Sequence, residues 1–345
     1  MHGTFRDGVV HLSGNARQQF YDSGGYGRPT GGSDLELAPV EAAHLLYRGD
    51  IDAVEAADSG ASMGFREFLT RTDAVLEFVV YKDLRDRGFY LSPARDGWVD
   101  PSVDDATDFV VYPRGKGPSD EEIAHRVRVV GERAPLSAAS IDEHVLAVVD
   151  EDGELTYLGT EWLSPAGTAD PPLPDSLDAT LMDDRLLVWD PPAALYEGGF
   201  FGQRLAGRNA ESGPLQLSLL EAAYLAQHDC LDVDAATVQG HAEAVEGERF
   251  RRRYAAYEAL REAGTVPKSG FKFGADFRVY ESFDGVADLG HSDKLVRVAE
   301  SDHEFLPREL SLDVRLAGGV RKRMVFALTE PKDGIDWLCV ERITP

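Results

Sequence analysis

Between Glu248 and Ala263 the apolar positions Phe250, Tyr254, Tyr257 and Leu260 recur at three- and four-residue spacing, the period of one helix face. Gly264 follows, where a left-handed residue closes a helix. Amphipathic helices are also predicted over Leu217 to Ala226 and Leu310 to Val320, the latter weakened at its end by Gly318-Gly319. Apolar runs predict strands over Leu146 to Val149, Arg185 to Trp189, Phe271 to Tyr280, Leu295 to Ala299, Met324 to Leu328 and Trp337 to Ile343. The C-terminal third thus reads as helix, strands, helix and two closing strands. That order belongs to a mixed sheet flanked by helices, so the fold class is mixed α/β (α+β).

The pattern occurs twice. Leu35 to Leu45 matches Leu215 to Leu225 at an offset of 180; Tyr81 to Gly88 matches Tyr257 to Gly264 at 176; Asp108 to Tyr112 matches Asp276 to Tyr280 at 168. Order is kept while the offset drifts, as loop insertions and deletions would cause. The prolines in Thr168 to Pro174 stop any helix or central strand and mark the linker between copies. The expected division is 1–62 and 63–167 for the small and large parts of copy one, 168–240 for the linker and small part of copy two, and 241–345 for its large part.

Composition changes the picture in two ways. Hydrophobic residues make up 43% of 345 residues, enough for real cores, and no apolar run reaches the roughly 18–20 residues that span a bilayer. Met1 to Asp7 has no apolar stretch of signal-peptide type, and Cys230 and Cys339 lack metal-ligand spacing, so a reduced, cytoplasmic protein without membrane partners is expected. The formal charge of −26 would argue against a nucleic-acid partner and points to a salt-rich cytoplasm. Yet residues 241–345 hold 17 Lys and Arg against 19 Asp and Glu, so nearly all the excess lies in the first 240 residues. Local potential, not total charge, decides anion binding.

Candidate chemistry sits in that near-neutral segment. Gly270 to Tyr280, His291-Ser292 and Val314 to Met324 bring Tyr280, His291 and Lys322 into a short span at expected strand and helix ends. RNA carries its own nucleophile, the 2′-OH. Its cleavage needs a proton acceptor, a proton donor to the 5′-oxygen and positive charge on the transition state. An imidazole suits the acid role near neutral pH, and an ammonium suits the charge role. A phenol can position or deprotonate the hydroxyl if cations lie nearby. A metal-dependent nuclease is the alternative, and Glu330-Pro331-Lys332 has the Glu-x-Lys spelling of such sites, although Pro331 and Gly334 make it a turn. A non-catalytic RNA-binding scaffold is the other alternative.

The segment from Gly270 to Met324 strongly resembles the archaeal tRNA-splicing endonucleases, and with both copies counted the whole chain resembles their tandem-repeat, homodimeric type. The resemblance implies two copies of a small N-terminal subdomain plus a nuclease-like sheet. It assigns Tyr280 as general base, His291 as general acid and Lys322 as transition-state stabiliser, with no metal or other cofactor. It implies a precursor tRNA cut at bulge-helix-bulge junctions, leaving 2′,3′-cyclic phosphate and 5′-hydroxyl ends. It places a base-clamping pair on Arg315 and Trp337, and a dimer contact on the acidic loop Asp150, Glu151, Asp152 and Glu154. Tyr112 aligns with Tyr280, but Glu122 and Glu143 fall near the positions of His291 and Lys322, so copy one is expected to be structural only. The acid excess predicts that the thermal unfolding midpoint rises with added KCl as like charges are screened; a midpoint independent of KCl contradicts this.

Overall fold

The computed structural model describes all residues except 100–102, 121, 208–209 and 331–333. The middle of Glu330 to Gly334 therefore lies outside the described residues. The chain forms two units, residues 1–160 with 304–311 and 342–345, and residues 161–303 with 312–341.

In unit 1, β1 (His2–Arg6), β2 (Val9–Leu12), β3 (Arg28–Gly31) and β4 (Asp34–Leu37) lie antiparallel in the order β3-β4-β2-β1. After α1 (Pro39–Arg48), β5 (Ala53–Ala56) joins parallel to β1 and β6 (Ser62–Met63) closes the edge. Helices α2 (Phe65–Thr72) and α3 (Val75–Asp86) lead to a second sheet of β7 (Leu91–Pro93), β8 (Phe109–Val111), β9 (His125–Gly131), β11 (Val145–Val149) and β12 (Leu155–Leu163), adjacent in that order. A short β10 (Leu136–Ser137) lies between β9 and β11 in sequence.

Unit 2 repeats the plan. β13 (Ala179–Leu181), β14 (Arg185–Val188), β15 (Gln203–Arg204) and β16 (Leu215–Ser218) are ordered β15-β16-β14-β13, with α4 (Ala193–Glu197) between β14 and β15 in sequence. Helices α5 (Leu219–Gln227), α6 (Ala235–Glu246) and α7 (Glu248–Glu262) follow. Next come β17 (Val266–Ser269), β18 (Phe277–Tyr280) and β19 (Lys294–Glu300), then β20 (Glu304–Phe305), which pairs with β10 inside unit 1, α8 (Pro307–Gly319), which belongs to unit 1 up to Ser311 and to unit 2 from Leu312, and β21 (Arg323–Thr329) and β22 (Ile335–Arg342). The sheet order is β17-β18-β19-β21-β22, and β19 and β21 are its parallel pair as β9 and β11 are in unit 1. Each unit has its own core, around Tyr81, Phe109 and Leu35 in one and Tyr257, Phe277 and Leu217 in the other.

Three expectations shift. Only Phe277 to Tyr280 of the predicted strand 271–280 is extended, because Phe271 to Phe273 turns as a 3₁₀ helix ended by Gly274 at φ +69°. Helix α8 starts at Pro307, three residues early, where proline at the first position is favourable. Strand register places Val145 opposite Val127 as Val325 is opposite Val296, so Asp142, one residue before the expected Glu143, stands where Lys322 does; Glu122 stands where His291 does.

The repeat is also visible in two buried glutamates. Glu41 accepts from Gly27 N (2.8 Å) and Ala38 N (2.9 Å); Glu221 accepts from Gly202 N (2.9 Å) and Ser218 N (3.0 Å). They differ in charge partner. Lys268 Nζ donates to Glu221 Oε1 at 2.5 Å and also to the carbonyls of Phe200 and Gly202. At the equivalent place in unit 1, opposite Val110 as Lys268 is opposite Arg278, stands Ser92. Burial accordingly pushes the Glu41 carboxyl up to about 7. Burial pushes Glu221 up as well, but Lys268, together with the Ser218 and Gly202 N–H bonds, more than offsets it and holds that carboxyl below its ordinary value. In the parent, the pair contributes stability above the unfolded carboxyl pKa. Lys268→Met strands the carboxylate and is expected to destabilise by about 3–5 kcal/mol. In the variant, burial without Lys268 raises the Glu221 pKa, and the loss deepens as pH rises through that raised value. Thermal unfolding at pH 5 and pH 8 checks this, and a parental midpoint at pH 8 contradicts it.

Candidate active site

The site is built where β18, β19 and β21 end together. Val279 lies opposite Lys294, and Lys294 opposite Arg323, so the residues just beyond these pairs gather at one sheet end. Asp293 fastens them. Its N–H donates to Val279 O (2.8 Å), its Oδ2 accepts from Glu281 N (2.9 Å), and its carbonyl accepts from Arg323 N (3.2 Å). Both chain neighbours of Tyr280 and the residue after Lys322 are thus held by one aspartate.

Lys322 is aimed by the end of α8. Its N–H bonds Ala317 O (2.9 Å) and the N–H of Arg321 bonds Gly318 O (3.0 Å), while Arg321 takes φ +57°. This is a left-handed helix cap on a residue with a side chain, which costs about 1–2 kcal/mol relative to an ordinary conformation. The Lys322 Nζ then donates to Ser292 O at 2.5 Å, next to His291, which is exposed. Burial lowers the Lys322 pKa; Arg278 adds to the depression and Asp293 opposes it.

Tyr280 is only 5% exposed, its ring 6.1 Å from that of Phe200 and 5.9 Å from the Arg278 guanidinium. Arg278 is therefore the common neighbour of Tyr280 and Lys322. Among the described residues it has no carboxylate partner, and its Nε is buried without a hydrogen bond. Sequence reasoning missed both Arg278 and Asp293. Alternation along Phe277 to Tyr280, which puts 278 and 280 on one face, was the available signal for the first; the second had none.

A cleft of about 860 Å³ is lined by Glu281, His291, Ser292, Asp293, Lys294, Gly319, Val320, Arg321 and Arg323. Tyr280 and Lys322 do not line it but are chain neighbours of residues that do. Arg315 is exposed on α8. Trp337 is 6% exposed, paired with Ala327 and packed in the core. In the acidic loop, Asp150 Oδ1 accepts from Asp152 N (3.0 Å) and Glu154 N (2.8 Å), and Glu151 pairs with Arg133 at 2.6 Å. The corresponding end of unit 1 has Tyr112 donating to Ser92 Oγ (3.0 Å), with Glu122 and Asp142 at the other two positions. Its β9-to-β11 crossover carries a 3₁₀ turn, Ala138–Ser140, in place of α8.

Comparison with known proteins fits this architecture. The family model described as tRNA intron endonuclease, catalytic C-terminal domain, matches residues 250–337. The model for the N-terminal domain of the same enzymes matches twice, at 1–69 and 177–239. A tRNA-splicing endonuclease of Haloferax volcanii is 66% identical over the full length of both chains, and one of Natronomonas pharaonis is 54% identical, also over both full lengths. A tRNA-splicing endonuclease of Methanosarcina acetivorans is 38% identical over 94% of each chain. By class the protein is an endonuclease with duplicated N-terminal and nuclease-like domains. It belongs to the tRNA intron endonuclease family.

The charge environment of Lys322 is testable directly. Its Nζ, followed by NMR of the labelled side chain, titrates below the ordinary lysine value of about 10.4. Arg278→Gln moves the titration up by removing a like charge, and Asp293→Asn moves it down by removing an opposite one. Shifts of the reverse sign, or none, contradict the arrangement.

Proposed function

We propose that this protein is a tRNA-splicing endonuclease that cuts precursor tRNA at bulge-helix-bulge exon–intron junctions by attack of the substrate's own 2′-OH, without a metal. The observation that carries the reading is the Lys322 ammonium on the Ser292 carbonyl, one residue from His291, with Asp293 bracketing Tyr280. The names of the relatives support the substrate class.

Tyr280 takes the 2′-OH proton, with Arg278 as the adjacent cation that role calls for. The O2′–P bond forms as the P–O5′ bond breaks. His291 gives its proton to the departing 5′-oxygen. Lys322 stabilises the charge on the non-bridging oxygens, which removes about 2.7–4 kcal/mol of barrier for a well-placed donor. The products are a 2′,3′-cyclic phosphate and a 5′-hydroxyl. Unit 1 carries carboxylates where acid and cation are needed, so a two-fold homodimer would hold two active sites for two junctions.

Arg315 is open to stack on an extruded base. Trp337 exposes so little of its ring that in this reading Arg315 makes the contact and Trp337 acts only through the strand it packs. The loop of Asp150, Glu151, Asp152 and Glu154 is our candidate dimer contact. Its candidate complement is the pocket of about 410 Å³ in unit 2, where Arg185, Arg253 and Lys268 are already paired with carboxylates and Arg278 is the lining cation without one among the described residues.

End-group analysis of fragments from an intron-containing transcript, in excess chelator, tests the function. The expected result is cutting at both junctions with cyclic phosphate ends, slowed about 10²–10³-fold by Lys322→Ala. Parental cleavage by that variant, or activity lost in chelator and restored by Mg²⁺, overturns the reading.

A further inference from the structure

Phe271 is the most exposed large apolar residue described, at 87%. No described residue of unit 2 covers it, although burying such a ring contributes about 1.5–3 kcal/mol. A mobile loop could carry an exposed phenylalanine at no consequence, but this turn is pinned. Phe273 N donates to Gly270 O (2.8 Å), Gly274 N to Phe271 O (3.2 Å), and Gly270 N to Asp276 O (3.0 Å). Arg297 Nε holds Gly274 O at 3.2 Å. Gly270 admits no side chain, because a Cβ there would meet Ala275 O at 2.7 Å. Gly274 supplies the left-handed residue that ends the turn.

The same turn reaches the candidate chemistry. The Phe273 ring lies 5.9 Å from Lys322 Nζ, and two residues of a 3₁₀ turn separate it from Phe271 by only about 4 Å of rise. Lys272, between them in sequence, is exposed. An aromatic face on a turn fixed by backbone bonds, beside an exposed lysine and one short turn from the ammonium proposed to meet the phosphate, has the chemistry of a nucleobase platform. A protein partner would be expected to meet a broader apolar patch than one ring beside an exposed lysine.

We propose that Phe271 is a stacking platform for an unpaired base of the RNA, close to the scissile phosphate and separate from Arg315. The inference rests on the function proposed above. The platform exists before substrate arrives, so it lowers KM rather than raising kcat.

The test is steady-state cleavage of an intron-containing transcript by the parent, Phe271→Ala, Phe271→Leu and Phe271→Trp, with sedimentation of each variant. Phe271→Ala is expected to raise KM about 5- to 150-fold with kcat little changed, the equivalent of about 1–3 kcal/mol for one stacked base. Phe271→Trp keeps parental KM, while Phe271→Leu, apolar without a π face, behaves like the alanine variant. Abasic substitution of one unpaired nucleotide should remove the difference between parent and Phe271→Ala. Parental KM in Phe271→Ala or Phe271→Leu overturns the platform, and so does a KM rise that tracks a change in sedimentation, which would make Phe271 an interface residue. A parent that fails to cleave the transcript overturns the functional reading instead, so the two failures are distinguishable.

Discussion

The bond from the Lys322 ammonium to the Ser292 carbonyl is the constraint on which the site depends. A charged donor makes a stronger hydrogen bond to a carbonyl than a neutral one does, and here it joins the end of α8 to the loop that carries His291. Asp293 extends the tie to β18 through the backbone on both sides of Tyr280. A parallel strand pair makes the junction possible. β19 and β21 start at the same sheet end, so the residues that precede them, His291 and Lys322, arrive together, and antiparallel β18 delivers Tyr280 to that end. The left-handed Arg321 is the local strain at this corner, and it turns the chain from helix into strand within three residues.

Duplication separates what the fold needs from what the chemistry needs. In the larger sheet both units keep the same strand order and the same parallel pair, and in the smaller, six-stranded in unit 1 and four-stranded in unit 2, both keep a buried glutamate capping the helix after β4 or β16. Both keep an aspartate, Asp108 or Asp276, whose carboxylate accepts from the strand beside it, from Val129 N or Val298 N. What differs is charge. Unit 2 puts Lys268 against its glutamate, Arg278 beside its tyrosine, and His291 and Lys322 at the sheet end. Unit 1 has Ser92, Val110, Glu122 and Asp142 at those places. The loss extends to backbone, since without α8 no helix end is available to aim a lysine.

Much of this was legible in the sequence because periodicity and repeats are local. Helix α7 was legible from Phe250, Tyr257 and Leu260, all of which are buried, and the mixed sheet from its order of apolar runs. The turn at Phe271 to Phe273 was misread because two aromatics beside a strand look like strand; only the flanking glycines argued otherwise. Arg278 and Asp293 were not legible because their roles arise from cross-strand register and loop return, which no spacing in one chain encodes. The resemblance puts Trp337 in a base clamp, while its place on β22 packs its ring in the core. The one-residue error at Glu143 has the same origin, since the offset between copies changes across each loop and only the paired strands fix it.

In the proposed mechanism an imidazole from the His291 loop protonates the leaving 5′-oxygen of a phosphodiester that the Lys322 end of β21 holds. A transcript with sulfur replacing that bridging oxygen needs no such proton, because a thiolate leaves unaided. Single-turnover cleavage of the oxygen and sulfur substrates by the parent and by His291→Ala measures the claim directly. His291→Ala is expected to lose about 10²–10⁴-fold on the oxygen substrate and to keep a near-parental rate on the sulfur one. An equal loss on both would contradict it.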